Sequence, residues 1–382
     1  MAGGSVKLYE FQAKELFSQG GIPIPRGRMV TDPEGAAQAA AELGRCVVKA
    51  QAHAGGRGKA GFIKLAESPE QAKAFAAGML GQTFKGFLIS RLLVEEAVDI
   101  AQEYYLAITV DRVSKSPILI CSAKGGVDIE EVAESDADAI VTQVVDVSFG
   151  PWDFELRDLA ERANLDPKAG RQFVEIAKKL YDVFVRNDAS LAEINPLMVL
   201  KDGRMIAADA KFDVDDNALF RHEELLGLKE EAEEDPIEAE AHRQGVTYVK
   251  LPGDIGIMGN GAGIVMGTLD MVTREGGAPA NFCDIGGGAS VETVRKCLSI
   301  VLMNPNVKGV LINVFGGITR GDAVAAGVLE ATKSLGVTLP IVVRMAGTRA
   351  EEGLEILEGS GLVPEGNPVE AARKIIALAK GA

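Results

Sequence analysis

The chain is short of several things, and each shortage closes off a class of protein. Aromatic residues make up only 5% of its 382 positions, with a single Trp, while 47% are hydrophobic; that balance suits a soluble α/β protein built from Ala, Val, Ile, Leu and Gly. Cysteine is scarce, and Cys46, Cys121, Cys283 and Cys297 form no close pair. A disulfide or zinc framework is therefore disfavoured, and a reducing cytoplasm is the expected setting. Three histidines leave too few for a His-built metal site. Positive charge is outweighed, 40 Lys and Arg against 55 Asp and Glu, and the net charge of −15 disfavours non-specific nucleic-acid binding. No apolar run approaches the roughly 20 residues that span a bilayer. The first residues carry no apolar signal core, and Glu10 and Glu15 argue against a transit peptide. The expected partners thus include neither nucleic acid nor membrane.

What is abundant is glycine, and it is placed. An apolar run from Val307 to Phe315 leads into N-V-F-G-G-I-T-R-G-D at Asn313 to Asp322, and a helical pattern, Ala323 to Leu335, leads out. In an open α/β sheet such a strand-to-helix turn points free backbone N–H groups outward, and an anion is its natural guest. With no Lys-Ser or Lys-Thr pair it is not a P-loop.

A second glycine stretch, Ala52 to Gly61 (A-H-A-G-G-R-G-K-A-G), lies between a strand at Cys46 to Gln51 and another at Phe62 to Leu65. It is a flap between strands. Lys49 is either a lysine snorkelling from a strand end or a fixed charge for phosphates over which Arg57 and Lys59 close. Phe87 to Val94 is strand-like and ends in Glu95 and Glu96. That is the pattern of a purine hinge, in which backbone bonds the base and the acid takes the ribose, and equally of an edge strand. Further on, Leu191 to Pro196 and Ile206 to Lys211 fold back about Lys201-Asp202-Gly203-Arg204. Counting around that turn sets Asn195 nearly opposite Asp209. Two oxygen ligands on adjacent strands suit Mg2+; the same residues also suit the polar face of a hairpin. Glu193 lies in the same hairpin.

An acidic stretch, Asn217 to Gln244, reads as a join. Beyond it strand–turn–helix units repeat: Ile255 to Met258, Asn281 to Ile285, Val307 to Phe315, Ile341 to Met345 and Leu362 to Pro364 each run through a turn into a helix. Five such units predict a doubly wound parallel sheet, with its glycine turns gathered at the carboxyl edge of the strands.

Taken together, Y-E-F-Q-A-K-E-L-F at Tyr9, K-A-Q-A-H-A-G-G-R-G-K-A-G at Lys49, G-G-V-D-I-E-E-V-A at Gly125, A-E-I-N-P-L at Ala192, D-D-N-A-L-F-R at Asp215, N-G-A-G at Asn260, P-A-N-F-C-D-I-G-G-G-A at Pro279 and F-G-G-I-T-R at Phe315 resemble the β subunits of succinyl-CoA synthetases, ATP-grasp acyl-CoA ligases. The resemblance runs along nearly the whole chain. It implies an α/β protein with an N-terminal ATP-grasp fold of two α+β subdomains, over 1–242, and a flavodoxin-like doubly wound domain, over 243–382. It implies that Lys49, Gly56, Arg57 and Gly58 hold nucleotide phosphates, and that Glu95, Val98 (through its backbone) and Glu103 contact base and ribose. Asn195 and Asp209 would bind Mg2+, Glu193 would steady the phosphohistidine loop of an α subunit, and Asn260, Gly317, Ile318 and Thr319 would contact succinate. The implied nucleotide is ATP/ADP, with GTP/GDP as the other choice, and the implied assembly an α/β heterodimer or α2β2 heterotetramer. Thr319 stands where many relatives have an apolar residue, which raises malate as an alternative acid; Gly317 is a glycine that malate-using relatives tend not to have. A nucleotide-binding scaffold without catalysis is the alternative of another class.

Overall fold

The computed structural model describes residues 5–228, 235–286, 290–317 and 320–381. The chain divides between Leu228 and Asp235 into two compact units.

The N-terminal unit holds two sheets, each with its own helices, which are the two α+β subdomains expected. In the smaller, strands Gly27–Val30, Leu92–Glu96, Cys46–Ala50 and Ile63–Ala66 lie side by side in that order, all antiparallel. Two helices, Pro33–Leu43 and Pro69–Met79, cover one face. Both open the same way: Asp32 or Ser68 accepts a bond from a backbone N–H three residues on, and proline takes the first turn, where its missing N–H costs nothing. Their buried positions are mostly alanine, Ala36, Ala39, Ala40, Ala72 and Ala76, so the helices lie close to the strands.

The larger sheet has seven strands. Ile100–Asp111 and Ala189–Leu200 run through its middle, flanked by Ser116–Ser122 and Val141–Val144 on one side and by Met205–Ala207, Lys211–Asp215 and Ser5–Lys7 on the other. The helix Gly170–Arg186 packs on it with Phe173, Ile176, Ala177, Leu180, Val183 and Phe184 buried. Spacings of three and four put these on one stripe, and each large one contributes about 1.5–3 kcal/mol of apolar burial. A further helix, Asp153–Arg162, precedes it. The N-terminal helix Glu10–Gln19 turns a partly charged face inward: Glu10, Gln12, Ala13, Lys14 and Phe17 are buried, while Phe11 and Leu16 are only half-buried.

At the end of this unit, Arg221 grips Asp188 through two bonds of 2.7 Å, and His222 Nε2 lies 2.7 Å from the same carboxylate. The bond from Arg221, with His222 adding to it against the effect of burial, lowers Asp188 from 3.8 to about 2. A depressed carboxyl contributes stability that is whole above its unfolded value and is lost as the pH falls through its folded one. The gap in urea midpoint between wild type and Asp188→Asn should therefore narrow as the pH is lowered from about 6 to about 3; a gap independent of pH would remove this pair as its source.

The C-terminal unit is one six-stranded sheet, in the order Thr247–Lys250, Asn281–Asp284, Ile255–Gly259, Gly309–Gly316, Ile341–Gly347, Val363–Glu365. Only the first strand is antiparallel. The five parallel strands follow the flavodoxin-like order 2-1-3-4-5, with helices Ala262–Arg274 and Pro368–Lys380 on one face and Val291–Leu302 and Gly321–Leu335 on the other. The helix Pro236–Arg243 buries Ile237 and Ala241 in this unit's core. The unit thus begins ahead of the expected join at 242/243, because an acidic helix still needs a surface for its apolar side.

Candidate active site

In the N-terminal unit, three cations and three carboxylates meet in the interior. Lys49 stands on the strand Cys46–Ala50, Arg57 on the flap, Lys14 and Glu10 on the first helix, Glu95 on the strand Leu92–Glu96, and Asp209 just before Lys211–Asp215. Lys49 Nζ is 2.8 Å from both Glu10 Oε1 and Glu95 Oε2 and donates to Ala208 O at 2.6 Å. Lys14 Nζ lies 3.0 Å from Glu10 and 2.6 Å from Glu95, and it too donates to Ala208 O, at 2.7 Å. Arg57 Nη1 reaches Glu10 Oε2 at 2.6 Å, and Nη2 donates to both oxygens of Asp209, at 3.0 and 2.8 Å. Burial alone would push the Glu10 carboxyl up, yet Lys14, Lys49 and Arg57 hold it well below the carboxylate range. Burial would likewise lower Lys49 and Arg57, and the facing carboxylates more than reverse this. At Asp209 burial wins over Arg57 and raises the carboxyl.

The flap is shaped by its own turns. Gly56 has φ +85°, a backbone that glycine accepts without strain; its carbonyl accepts from Ala60 N–H, and that of Gly58 from Gly61 N–H. Gly56 and Gly58 are exposed, whereas Arg57 between them is buried. His53, also on the flap, stacks on Tyr9 with ring centroids 4.2 Å apart.

A second group gathers around the glycine turn at 123–127. Asn195 Oδ1 accepts from Gly126 N–H at 2.8 Å, and its Nδ2 donates to Val127 O at 2.9 Å. Glu103 lies against the same turn: a Cβ on Gly126 would sit 2.8 Å from its Oε2. Burial raises the Glu103 carboxyl. Burial also raises Glu193, against the pull of Lys211, and Tyr105 donates to Glu193 at 3.3 Å. Asn195 and Asp209 do stand opposite each other: Leu197 pairs with Ala207 and Glu193 with Lys211, so both lie two residues inside each pair. One carboxylate and one carboxamide oxygen are hard donors, and Mg2+ takes one or two such protein groups with phosphate and water for the rest. The donor set fits, provided Arg57 releases Asp209.

Glu95 sits differently from a free ribose acceptor. It is only 2% exposed, and Lys14 donates to both its oxygens, at 2.6 and 2.7 Å. Val98 follows that strand and is half-buried. Glu10 and Lys14 escaped the sequence reading of this site. Their signal was an i, i+4 Glu–Lys pair in the first helix.

In the C-terminal unit, Gly259 and Asn313 pair in register across the two central strands. Asn260, in the turn after the first, donates from Nδ2 to Phe315 O and accepts from Phe315 N–H, both at 2.8 Å, and so clips the two turns together at the topological switch point. Gly317 lies just past Gly316, and its carbonyl accepts from Thr348 Oγ1 at 3.1 Å. Ile318 and Thr319 fall outside the described residues. Asp322, in the first turn of the next helix, is held well below its usual range by Arg320, with Arg349 adding to it.

The ATP-grasp domain family model matches residues 7–199, and the CoA-ligase family model residues 258–374. A nucleotide-grasping fold joined to a CoA-ligase fold defines an acyl-CoA ligase of the ATP-grasp class. The β subunit of the GDP-forming succinate–CoA ligase of Thermus thermophilus is 49% identical over 99% of this chain and all of its own. That of the ADP-forming enzyme of Chloroflexus aurantiacus is 47% identical over 98% of this chain and all of its own. The chain belongs to the succinate–CoA ligase β-subunit family. The ATP citrate lyase of Methanothrix soehngenii shares the fold, with a TM-score of 0.70 at 21% identity over 99% of this chain and all of that one. Among the described residues no helix is long and apolar enough to cross a membrane.

Proposed function

We propose that this chain is the nucleotide-, Mg2+- and succinate-binding subunit in the reversible reaction of ATP, succinate and CoA to succinyl-CoA, ADP and phosphate. The observation that carries the reading is the convergence of Lys49, Arg57 and Asp209, drawn from widely separated stretches, on one buried cluster beside a glycine flap. Lys49 and Arg57 supply charge to the phosphates, and Gly56 and Gly58 let the flap backbone come close to them. Val98 and Glu103 face the base and ribose. Glu95 joins them only by yielding part of its hold on the lysines. Asn195 and Asp209 are the Mg2+ ligands; the ion would screen phosphate charge as the phosphoryl group leaves.

The γ-phosphoryl group passes to a histidine of the α subunit, with Glu193 steadying that loop. It then passes to a succinate carboxylate, and the CoA thiol displaces it as phosphate. Asn260, Gly317, Ile318 and Thr319 hold the acid; the Asn260 clip keeps the turn that receives it in place. Positioning and charge neutralisation are the protein's part. The nucleotide is ATP/ADP on the weight of ADP-forming relatives, with GTP/GDP as the variant suggested by the GDP-forming name of the Thermus protein.

The test is a co-purified α/β pair given ATP or GTP labelled at the γ-phosphate with a panel of diacids. Label should appear on the α subunit and be discharged by succinate and CoA. This chain alone should show no ligase turnover, and substantial turnover by it would sink the two-subunit mechanism.

A further inference from the structure

Of the cluster's three carboxylates, Glu10 is the one to which the proposed reaction gives no task. It opens the first helix, and its side chain is 1% exposed. Its two oxygens are divided between the two proposed phosphate ligands: Oε1 lies 2.8 Å from Lys49 Nζ, and Oε2 accepts from Arg57 Nη1 at 2.6 Å. Gln51 Nε2 also donates to Oε2, at 3.2 Å. A carboxylate placed so does what two oxygens of a phosphate would do, and among the described residues Lys49 and Arg57 are hydrogen-bonded to no other carboxylate in common. Asp209 is bonded by Arg57, and Glu95 is paired with Lys49.

The cluster is balanced, with Lys14, Lys49 and Arg57 set against Glu10, Glu95 and Asp209. A polyphosphate cannot join it without one carboxylate giving up a cation. We propose that Glu10 is the phosphate stand-in: without nucleotide it holds Lys49 and Arg57 where phosphates need them, and incoming phosphates displace it from Arg57. This rests on the reading of Lys49 and Arg57 as phosphate ligands.

Three features say how the exchange runs. Arg57 is the member carried on a flap, whereas Lys49 is fixed on a strand and Lys14 on a helix, so Arg57 is the one to move. Lys14 sits one helical turn beyond Glu10, 3.0 Å from it, and so keeps the displaced carboxylate neutralised. The same guanidinium covers both oxygens of Asp209, so leaving Glu10 and uncovering Asp209 are one movement of one side chain. Glu10 thus competes with the ligand for Arg57, and freeing Arg57 gains more affinity than the lost preorganisation costs.

A counter-charge with a purely structural role makes the opposite prediction. Its loss would loosen the site and weaken nucleotide binding, whereas loss of a competitor strengthens it. The experiment uses the full-length chain co-purified with its α subunit and titrates Mg-ADP into wild type and Glu10→Gln by calorimetry. Glu10→Gln should lower the Kd roughly tenfold, the worth of about one charge-assisted hydrogen bond. It should also speed hydrogen exchange of the flap amides at 55–61 in the nucleotide-free protein. An unchanged or higher Kd overturns the proposal. Where Glu10→Gln does not fold, Glu10→Asp keeps the charge but shortens its reach, and the same two outcomes decide. Lys49→Ala distinguishes failure of the phosphate site from failure of the stand-in. If it binds Mg-ADP as tightly as wild type, the phosphate assignment fails and the stand-in with it. If it loses binding while the Glu10 variants fail to gain any, the stand-in alone falls.

Discussion

Lys49→Ala should reduce phosphorylation of the α subunit by Mg-ATP by on the order of 10²–10³, the usual loss when a preorganised donor to a transferring group is removed. The side chain is held on three sides, by Glu10, Glu95 and Ala208 O, so its charge reaches the phosphates without reorganisation. Its loss leaves the cluster with two cations against three carboxylates, an interior that repels a polyanion. Breaking a buried pair by removing one partner also destabilises, by about 3–5 kcal/mol. The variant must therefore be compared with wild type below the unfolding transition of both, with the folded fraction checked by near-UV circular dichroism. Labelling at a near wild-type rate would remove Lys49 from the phosphate site.

The second large effect belongs to the other unit. Gly347 ends the strand Ile341–Gly347 with φ +91°, and a Cβ there would sit 2.0 Å from Gly316 O and 2.8 Å from Gly316 C. These are backbone atoms of the neighbouring strand, paired in register with Gly347, so they cannot swing aside as a side chain would. Gly347→Ala should push the 315–317 turn out of place and lower ligase turnover about 100-fold, as a misplacement near 1 Å can do. Its nucleotide Kd should stay at the wild-type value, because the cation cluster is built entirely from the N-terminal unit. Turnover and calorimetry on the same preparation decide the matter. Full turnover would separate this turn from the acid site, and a parallel loss of nucleotide affinity would mean general unfolding.

The two units were legible to different degrees. In the C-terminal unit each of the five parallel strands is a short run closed by glycine and followed by a helical pattern, so local chemistry reports the architecture directly; the antiparallel edge strand Thr247–Lys250, with no such signal, was missed. The strand order is not local, and it emerged only with the pairing. Asn195 facing Asp209 could be counted from the turn at Lys201–Arg204 because the register is the same on both sides of the interruption. Glu10 and Lys14 could not be read in this way. Periodicity assigns charged positions to solvent, and here the first helix buries two of them because their partners arrive from Lys49, Glu95 and Ala208, far along the chain. Glu95 shows the same limit. Its place at a strand end suggested an open acid, and only the fold shows it enclosed by lysines.

The ends of the C-terminal sheet bear on how this chain meets others. A free strand edge is a template on which another backbone can add itself. At one end Thr247–Lys250 runs against its neighbours and terminates the parallel ladder. At the other, Val363–Glu365 is three residues long and has Pro364, with no N–H to offer, at its centre. The Val363–Glu365 edge, short and interrupted by proline, therefore offers little to an added strand.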